Sequence, residues 1–296
     1  MRSTRNLVSL SVVVAVALAA CSDAATDSND SVATEVATTT TTTTVLPEPE
    51  VSLPAQVPPE LVVTDLKTGS GPAAEVGDGV IVHYVGVLTD TGEEFDSSYG
   101  ADPIEFLIGA GRVILGWDRG LIGAQQGTRR QLDIPADLAY GDSPPNGGAG
   151  LIQAGDALSF VIDVVVVLPT SKVEDEPQIT LSPASNIAVL ESTDLIVGAG
   201  PSPQDGQNVA IQIMTFRADT GELLASDWGG PPLTFSYSAQ SQIFPGLLAA
   251  VKDMRVGGRR QTQLPFLLVF DGQGSPDFGL PPEVDVVVVI DLIAVY

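Results

Sequence analysis

The chain has 296 residues, enough for about two domains of ordinary size, and 44% of them are hydrophobic, enough for real cores. The formal net charge of −24 argues against nucleic acid as a partner, because no basic stretch is present to neutralise phosphates. A single cysteine, Cys21, excludes an intrachain disulfide framework and a metal cluster held by several thiolates. The acidic excess therefore indicates solubility and mutual repulsion more than any specific ligand.

The N-terminus has the pattern of an exported, lipid-modified protein. Two arginines precede an apolar run, Leu7 to Ala20, which is short for a bilayer-spanning helix and ends in small residues. The run closes on Leu18-Ala19-Ala20-Cys21, which resembles the lipobox of bacterial lipoproteins, where the cysteine is lipidated. We therefore expect a signal peptide at 1–20, lipidation of Cys21, and an extracytoplasmic protein anchored to the cell membrane. The alternative is an ordinary secretory signal with an incidental cysteine.

Residues 21–58 differ in composition from the rest of the chain. They contain an uninterrupted threonine run at 38–44, several prolines and acids, and few large apolar side chains. Such a segment buries too little apolar surface to offset the entropy of folding. The sequence predicts a disordered tether between the anchor and the first domain.

An internal repeat divides the remaining chain into two copies of one unit. Thr64-Asp65-Leu66 recurs as Thr193-Asp194-Leu195, a shift of 129 residues (193 − 64), and Arg129-Arg130-Gln131 recurs as Arg259-Arg260-Gln261. Matching residues in the same order across a whole unit make chance similarity improbable. The sequence predicts two homologous domains, 59–168 and 178–296, joined by a linker at 169–177.

Each copy combines alternating apolar strands with one short helix. In the first copy Val82, Tyr84 and Leu88 share one strand face, and Trp117 and Leu121 lie one helical turn apart. Gly116 and Gly120 each disfavour this helix by about 1 kcal/mol relative to Ala, so we expect a close approach to a neighbouring element there. The predicted fold class is α+β: a twisted antiparallel β-sheet wrapped around a short helix, present twice in tandem.

Four stretches of the first copy occur together in a known enzyme family. The stretches are Val82-His83-Tyr84-Val85-Gly86, Thr91 to Ser98, Val113 to Trp117, and Leu138-Ala139-Tyr140-Gly141. In combination they resemble the FKBP family of peptidyl-prolyl cis-trans isomerases, and the likeness covers Glu60 to Leu168. It implies that family's fold, which agrees with the strand pattern. It also implies a proline pocket with catalytic residues Tyr84, Phe95, Asp96, Trp117, Tyr140 and Phe160, and substrate-binding residues Val113, Ile114, Ile104, Leu151 and Ile152.

The resemblance assigns a role to several of these residues. Trp117 corresponds to the floor under the proline ring, the backbone N–H of Ile114 to a donor for a substrate carbonyl, and the Tyr140 hydroxyl to a second donor. Leu151 and Ile152 correspond to the loop that overhangs the pocket. Rotation about an X–Pro bond breaks no covalent bond, so the chemistry requires no nucleophile, metal or cofactor.

Two positions in the first copy depart from the family pattern. An Arg that commonly pairs with the pocket Asp is replaced by Ala101, which leaves the orientation of Asp96 open. Ile104 stands where many members have an aromatic side chain. His83, the only histidine, is expected to be a structural strand residue that points away from the pocket.

The second copy keeps the fold-determining positions and loses the pocket ones. The residues at the positions of Tyr84, Phe95, Asp96, Trp117, Tyr140 and Phe160 are Ile213, Leu224, Ala225, Leu247, Phe270 and Val288. We therefore expect a domain of the same fold without isomerase activity.

The leading functional hypothesis is a membrane-tethered prolyl isomerase that assists the folding of exported proteins. Its expected partners are proline-containing exported polypeptides, a membrane through the lipid anchor, and FK506- or rapamycin-type inhibitors, with no nucleic acid. Two alternatives stay open: a non-catalytic proline-peptide binder or holdase chaperone, and a structural envelope protein that uses both domains as spacers.

Overall fold

The computed structural model describes residues 47–181 and 186–296, which form two β-rich domains of matching topology. The predicted signal peptide, Cys21 and the tether up to residue 46 lie outside the described residues. Within the described ranges, no helix has the length and apolar character needed to cross a membrane.

Domain 1 is built on one twisted sheet with the order β1-β7-β8-β3-β4, and β5 also pairs with β3. Every pairing in it is antiparallel. A second, small sheet pairs β2 with β6. The elements are β1 (Val62–Lys67), β2 (Ser70–Ala73), β3 (Gly79–Leu88), β4 (Glu94–Ser97), β5 (Ile104–Leu107), α1 (Leu115–Gly120), β6 (Gln125–Gln126), β7 (Arg129–Ile134) and β8 (Leu158–Leu168).

Domain 2 repeats the main sheet strand for strand. Its order is β11-β10-β14-β13-β9, with β12 paired to β10, which is the order of the first sheet read from the other end. The elements are β9 (Glu191–Ile196), β10 (Asn208–Arg217), β11 (Leu223–Ser226), β12 (Leu233–Ser236), α2 (Pro245–Val251), β13 (Arg259–Leu264) and β14 (Val286–Val295). The predicted fold class and the tandem repeat are confirmed.

The core of domain 1 lies between the sheet and α1, as strand alternation predicts. Val82, Tyr84 and Leu88 of β3 contribute to this cluster together with Trp117 and Leu121 of the helix region. In β8 the side chains of Leu158, Phe160, Ile162 and Val164 join the same cluster. Asp163 points to the opposite, outer face, where its carboxylate pairs with Arg129 at 2.6 Å.

The two glycines of α1 allow the helix to lie directly on β7. A Cβ at Gly116 would sit 2.5 Å from Cγ2 of Ile134, and one at Gly120 would sit 2.7 Å from Cδ2 of Leu132. Real Cβ atoms do not approach other atoms so closely, so any larger residue would push the helix away from the strand. The expected close approach is confirmed, and β7 is the element approached.

A short segment ahead of each domain lies on the outer face of its sheet. We call these segments straps: residues 48–53 (Glu-Pro-Glu-Val-Ser-Leu) before domain 1 and 176–181 (Glu-Pro-Gln-Ile-Thr-Leu) before domain 2. Glu48 accepts a hydrogen bond from the Ser97 hydroxyl, and Glu176 accepts the matching bond from Ser226 at 2.6 Å. The repeated unit therefore begins with the strap, ahead of the first strand.

The straps correct two predicted boundaries. The backbone N–H and carbonyl of Ser52 bond to the Gln131 side chain at 3.3 and 2.6 Å, so the predicted disordered tether at 21–58 is wrong in its last part. The predicted linker at 169–177 likewise contains the first two strap residues of domain 2. The composition is misleading here because hydrogen bonds and contacts with the sheet, such as Ile179 and Leu181 against the cluster around Met214, hold these polar segments.

The linker and a small apolar cluster connect the two domains. Thr170 bonds to Asp78 of domain 1 at 2.8 Å, and the Ser171 hydroxyl accepts from the N–H of Gly229 in domain 2 at 3.0 Å. The apolar cluster combines residues from both sheets: Ile81, Val166 and Leu168 with Ala210 and Ala294. The linker is thus hydrogen-bonded to both domains.

Candidate functional site

The predicted pocket residues of domain 1 form one aromatic cluster centred on Trp117. The indole is 4% exposed and lies 5.1 Å from the Tyr84 ring and 5.2 Å from the Phe160 ring, both nearly perpendicular to it. Phe95 extends the cluster, with its ring centre 5.6 Å from that of Phe160. Edge-to-face packing of this kind favours aromatic pairs beyond simple burial. The result is a dry aromatic floor between the sheet and α1.

Gly86 makes this packing possible. A Cβ at Gly86 would lie 2.7 Å from ring atoms of both Phe160 and Phe95, closer than any real contact. The corresponding residue of domain 2 is Thr215, which is accommodated because Leu224 and Val288 replace the two phenylalanines. Gly86 is therefore part of the site although it carries no side chain.

The Tyr84 hydroxyl holds the carboxylate of Asp96. It donates a hydrogen bond of 2.6 Å to Oδ2 of Asp96. Burial, followed by this bond, raises the pKa of Tyr84 well above its usual range, so the hydroxyl stays protonated. Ala101 stands where the family commonly has an arginine that pairs with this aspartate. In this chain Asp96 is oriented instead by Tyr84, a tyrosine on the neighbouring strand.

Two further donors lie at the mouth of the aromatic cluster. The Tyr140 side chain follows a short 3-10 turn (Ala136–Leu138) and is 37% exposed. Burial, and then the charge of Asp96, raises its pKa, so it too remains a neutral donor. The backbone N–H of Ile114, the extended residue before α1, has no acceptor within the described part of the chain. Such a group is available to donate a hydrogen bond to a partner from outside the described residues.

Asp118 positions this entrance, and sequence reasoning missed it. Its carboxylate, 6% exposed, accepts the backbone N–H groups of Gly109 at 2.9 Å and Gly111 at 3.0 Å. These bonds fix the loop that leads into Val113 and Ile114. The sequence did contain a signal for this role: Asp118 is a charged residue directly after Trp117, in a very short helix.

The remaining predicted residues differ in how far they are buried in the core cluster. Half-buried side chains that pack against the core cluster belong to Phe95, Ile104, Val113 and Ile114. Ile152 is buried in that cluster, whereas Leu151 is 45% exposed and takes no part in it. His83 lies on the outer face as expected, with Nδ1 3.0 Å from the Ser98 hydroxyl and its ring beside Tyr99. The binding roles of these residues stay predictions.

Domain 2 has an open apolar cleft at the equivalent place. Its volume is about 540 Å³, within the usual range for ligand pockets. The floor and walls are aliphatic and include Ile213, Leu224, Leu233, Leu247, Val269 and Val286. Aromatic side chains stand at the rim instead, where the rings of Phe244 and Phe270 lie 5.7 Å apart and those of Phe270 and Phe278 stack at 5.9 Å.

Neither site shows the ligands of a metal centre. Across residues 47–181 and 186–296, no group of three or more His, Cys, Asp or Glu side chains is arranged to hold a metal ion. Domain 1 offers an aromatic surface, with the hydroxyl of Tyr140 and the N–H of Ile114 at its edge.

Comparison with known proteins identifies a family for both domains. The family model of the FKBP-type peptidyl-prolyl cis-trans isomerases matches residues 71–165 and again residues 200–293. A protein of Streptomyces anulatus named FK506-binding protein is 50% identical over 122 residues, which are 40% of this chain and 97% of that protein. The peptidyl-prolyl cis-trans isomerase FKBP15-1 of Arabidopsis thaliana is 50% identical over 95 residues, 32% of this chain and 60% of that protein.

Among solved structures, that of AtFKBP13 aligns with 40% identity over 36% of this chain and 91% of that chain, with a TM-score of 0.33. The two family matches cover both domains and most of the described chain. The chain therefore belongs to the FKBP-type peptidyl-prolyl cis-trans isomerase family, with two domains of that family in tandem.

Proposed function

We propose that domain 1 is an active prolyl isomerase that assists the folding of exported polypeptides, and that domain 2 does not catalyse this reaction. The observation that carries the proposal is the aromatic cluster around Trp117, with Tyr84, Phe95 and Phe160 in contact and polar donors at its edge. The ligand is an X–Pro segment, with the proline ring on the indole.

The mechanism follows from the electronic structure of the amide. Isomerisation twists the C–N bond, and the barrier arises from the resonance that is lost at the twisted geometry. The planar amide is more polar than the twisted one, so a dry aromatic site disfavours the ground state more than the transition state. The aromatic floor contributes to catalysis because Trp117 and Phe160 exclude water from the amide.

Hydrogen-bond donors add selectivity for the twisted state. The N–H of Ile114 binds a carbonyl of the peptide, which fixes one side of the rotating bond. The Tyr140 hydroxyl donates to a carbonyl oxygen in the position it reaches as the bond turns. Donors that are in place before the reaction stabilise the transition state without a reorganisation cost.

Domain 2 lacks the side chains this mechanism uses. Leu247 replaces the indole, and Phe270 replaces Tyr140 without its hydroxyl. Ala225 replaces Asp96 and Ile213 replaces Tyr84, so the hydrogen bond between Tyr84 and Asp96 has no counterpart in domain 2. Catalysis is accordingly assigned to domain 1 alone.

The proposed location follows from the N-terminal sequence. Lipidation of Cys21 would anchor the chain to the outer side of the cell membrane, where exported proteins emerge unfolded. Replacing Cys21 by Ser should release the protein from the membrane fraction. A soluble mature form of the unchanged protein would contradict the anchor. FK506- and rapamycin-type macrolides are the proposed inhibitors, in keeping with the name of the Streptomyces relative.

The proposal is tested by a protease-coupled assay of prolyl isomerisation with the full chain. We expect acceleration over the uncatalysed rate, and a fall of up to about tenfold in kcat/KM for Tyr140→Phe, which removes one hydrogen bond. The matched control is Tyr237→Phe, which removes a tyrosine hydroxyl from domain 2. No acceleration would refute the proposal and leave the holdase alternative, and equal activity of Tyr140→Phe and the unchanged chain would refute the role of the Tyr140 hydroxyl.

A further inference from the structure

The cleft of domain 2 differs from that of domain 1 in where its aromatic and aliphatic side chains lie. In domain 1 the aromatic rings form the floor, and in domain 2 the floor is aliphatic while Phe244, Phe270 and Phe278 form the rim. Leu247, Ile213 and Val288 are smaller than the residues they replace, so the floor is recessed. A pocket deepened in this way accepts a large side chain, whereas a proline ring would leave part of it empty.

The rim of this cleft is held in a strained conformation. Phe270 has φ of 48° and Asp271 has φ of 53°, both in the left-handed region that disfavours residues other than glycine. Phe270 is nevertheless 38% exposed and Phe278 is 48% exposed. Strain of this kind persists where the surrounding structure enforces it, often at binding sites. Here it places an aromatic ring at the edge of an apolar cleft instead of in the core.

The loop beside the cleft carries charges of one sign. The loop from 266 to 285 carries the exposed acids Asp271, Asp277 and Glu283, and residues 261–285 contain no Lys or Arg. None of the residues that line the cleft is basic. A partner that complements this surface is apolar at its centre and positively charged on either side.

One polar group in the cleft suits a polypeptide ligand. The backbone N–H of Phe244, at the position of Ile114 in domain 1, has no acceptor within residues 47–181 and 186–296. Like Ile114, Phe244 is extended and directly precedes the helix. A peptide carbonyl next to a large apolar side chain satisfies this donor while the side chain fills the cleft.

We propose that domain 2 binds non-native polypeptide segments in which a large apolar side chain is flanked by Lys or Arg, with no requirement for proline and no isomerisation. The inference rests on the proposed function only in taking polypeptide as the ligand of this protein. Domain 1 then acts on X–Pro bonds of a client that domain 2 holds elsewhere along its chain. Because the two domains are joined by a bonded linker, engagement at one raises the effective concentration at the other.

The test uses the full chain carrying Trp117→Leu, so that peptide binding by domain 1 is weakened. Fluorescence polarisation is measured with labelled, proline-free peptides: Lys-Ala-Phe-Ala-Lys, Glu-Ala-Phe-Ala-Glu and Lys-Ala-Ala-Ala-Lys. We expect saturable binding of the first peptide and about tenfold or more weaker binding of the one without Phe, because the cleft then loses its apolar contact. The acidic peptide should also bind more weakly, and this difference should shrink with added salt.

Two variants and one matched control locate the binding. Leu247→Trp fills the cleft, and Phe270→Ser removes a rim ring that is already partly exposed, so the second variant keeps the test valid if the first disturbs the fold. Both should weaken binding of the basic Phe peptide by about tenfold or more. Leu195→Ser, which removes another exposed apolar side chain, from β9 outside the cleft, should leave binding unchanged.

Three results would overturn the inference. They are an absence of binding, binding that neither cleft variant weakens, and equal binding of the three peptides. Because the peptides contain no proline, these results are independent of the isomerase assay. Loss of isomerase activity would refute the proposal for domain 1 and leave the cleft measurement interpretable, and the reverse also holds.

Discussion

The two domains share a backbone and differ in where they keep their aromatic side chains. Domain 1 buries them as a floor, with Trp117 in contact with Tyr84 and Phe160, and domain 2 displays them at the rim around an aliphatic floor. The β-sheets and strand registers are nonetheless the same in outline. The difference teaches that this fold does not need the indole for stability, so the cost of keeping it in domain 1 points to function.

The cost in stability comes from a hydrogen-bond donor that is buried without a partner. The indole Nε1 of Trp117 is buried without an acceptor in the described part of the chain. An unsatisfied buried donor costs about 1–3 kcal/mol. Leu247 at the same position in domain 2 carries no such group. A residue retained at a stability cost is expected to contribute elsewhere, here as the pocket floor.

The largest expected effect comes from converting the floor of domain 1 to that of domain 2. Trp117→Leu should lower kcat/KM for prolyl isomerisation by about tenfold to a hundredfold, because the contact with the proline ring is worth about 1.5–3 kcal/mol. The protease-coupled assay measures this, with circular dichroism as the check that the variant keeps its fold. Residual activity equal to the uncatalysed rate would assign all catalysis to domain 1. Full activity would remove Trp117 from the site.

A reciprocal exchange at one position separates the two packing schemes. Gly86→Thr should destabilise domain 1 by about 1–3 kcal/mol, because the new side chain meets Phe95 and Phe160. Thr215→Gly should change domain 2 by less than about 1 kcal/mol, through strand propensity alone. Hydrogen exchange in β3 and β10 measures each domain separately. Equal effects of the two substitutions would mean that the rings do not determine the need for glycine.

A smaller effect is expected on the pH dependence of the stability of domain 2, through a carboxyl group that domain 1 lacks at the corresponding position. Asp227 stands where domain 1 has Ser98, and its Oδ1 accepts the N–H of Ile213 at 2.7 Å. Its Oδ2 and the Oε1 of Gln212 are both buried without a partner in the described chain. Burial raises the pKa of Asp227 to about 6, and the charge of Asp291 adds to the shift.

The sign of the resulting pH dependence is fixed. A carboxyl whose pKa is raised by folding contributes stability below its unfolded value, near 3.8, and this stability is lost as the pH rises through about 6. Asp227→Asn cannot ionise and should therefore be more stable than the unchanged chain at pH 7.5. The advantage should vanish below about pH 4. Urea unfolding monitored by hydrogen exchange in β10 at several pH values is the measurement, and a constant difference across that range would contradict the assignment.

No effect at all is expected for the pH dependence of catalysis between about pH 6 and 8. Both pocket hydroxyls, those of Tyr84 and Tyr140, have raised pKa values and stay protonated throughout. Histidine is the side chain that ordinarily titrates in this interval, and His83 lies on the outer face of the sheet. A flat profile of kcat/KM is the expected outcome. A steep profile would show that the outer face communicates with the pocket.

Much of this architecture could be predicted from the sequence. Strand alternation placed Tyr84 and Phe160 on the core face, and the repeat predicted the second sheet. The sequence did not predict the contacts between separate segments of the folded chain, above all those of Tyr84 with Asp96 and of Asp118 with the loop at Gly109. These are hydrogen bonds between segments whose separation along the chain carries no periodic signal.

The straps were missed for a different reason. Their proline and acid content matches that of a disordered segment, because composition does not reveal a surface to which polar groups can bond. The repeat contained the signal all the same: Glu48-Pro49 and Glu176-Pro177 stand 128 residues apart (176 − 48), close to the shift of the domains. A repeat search extended into the supposed tether would have found it.

The strap of domain 1 has a mechanical consequence. The chain ahead of Pro47 joins the domain through the bonds of Glu48 with Ser97 and of Ser52 with Gln131, and only then continues to β1. A force pulling on the N-terminus, such as drag on a tethered protein, is therefore applied first to these few hydrogen bonds, each worth about 1 kcal/mol. They would part before any load reached the β1–β7 ladder, so tension on the N-terminus is expected to detach the strap before it acts on the sheet.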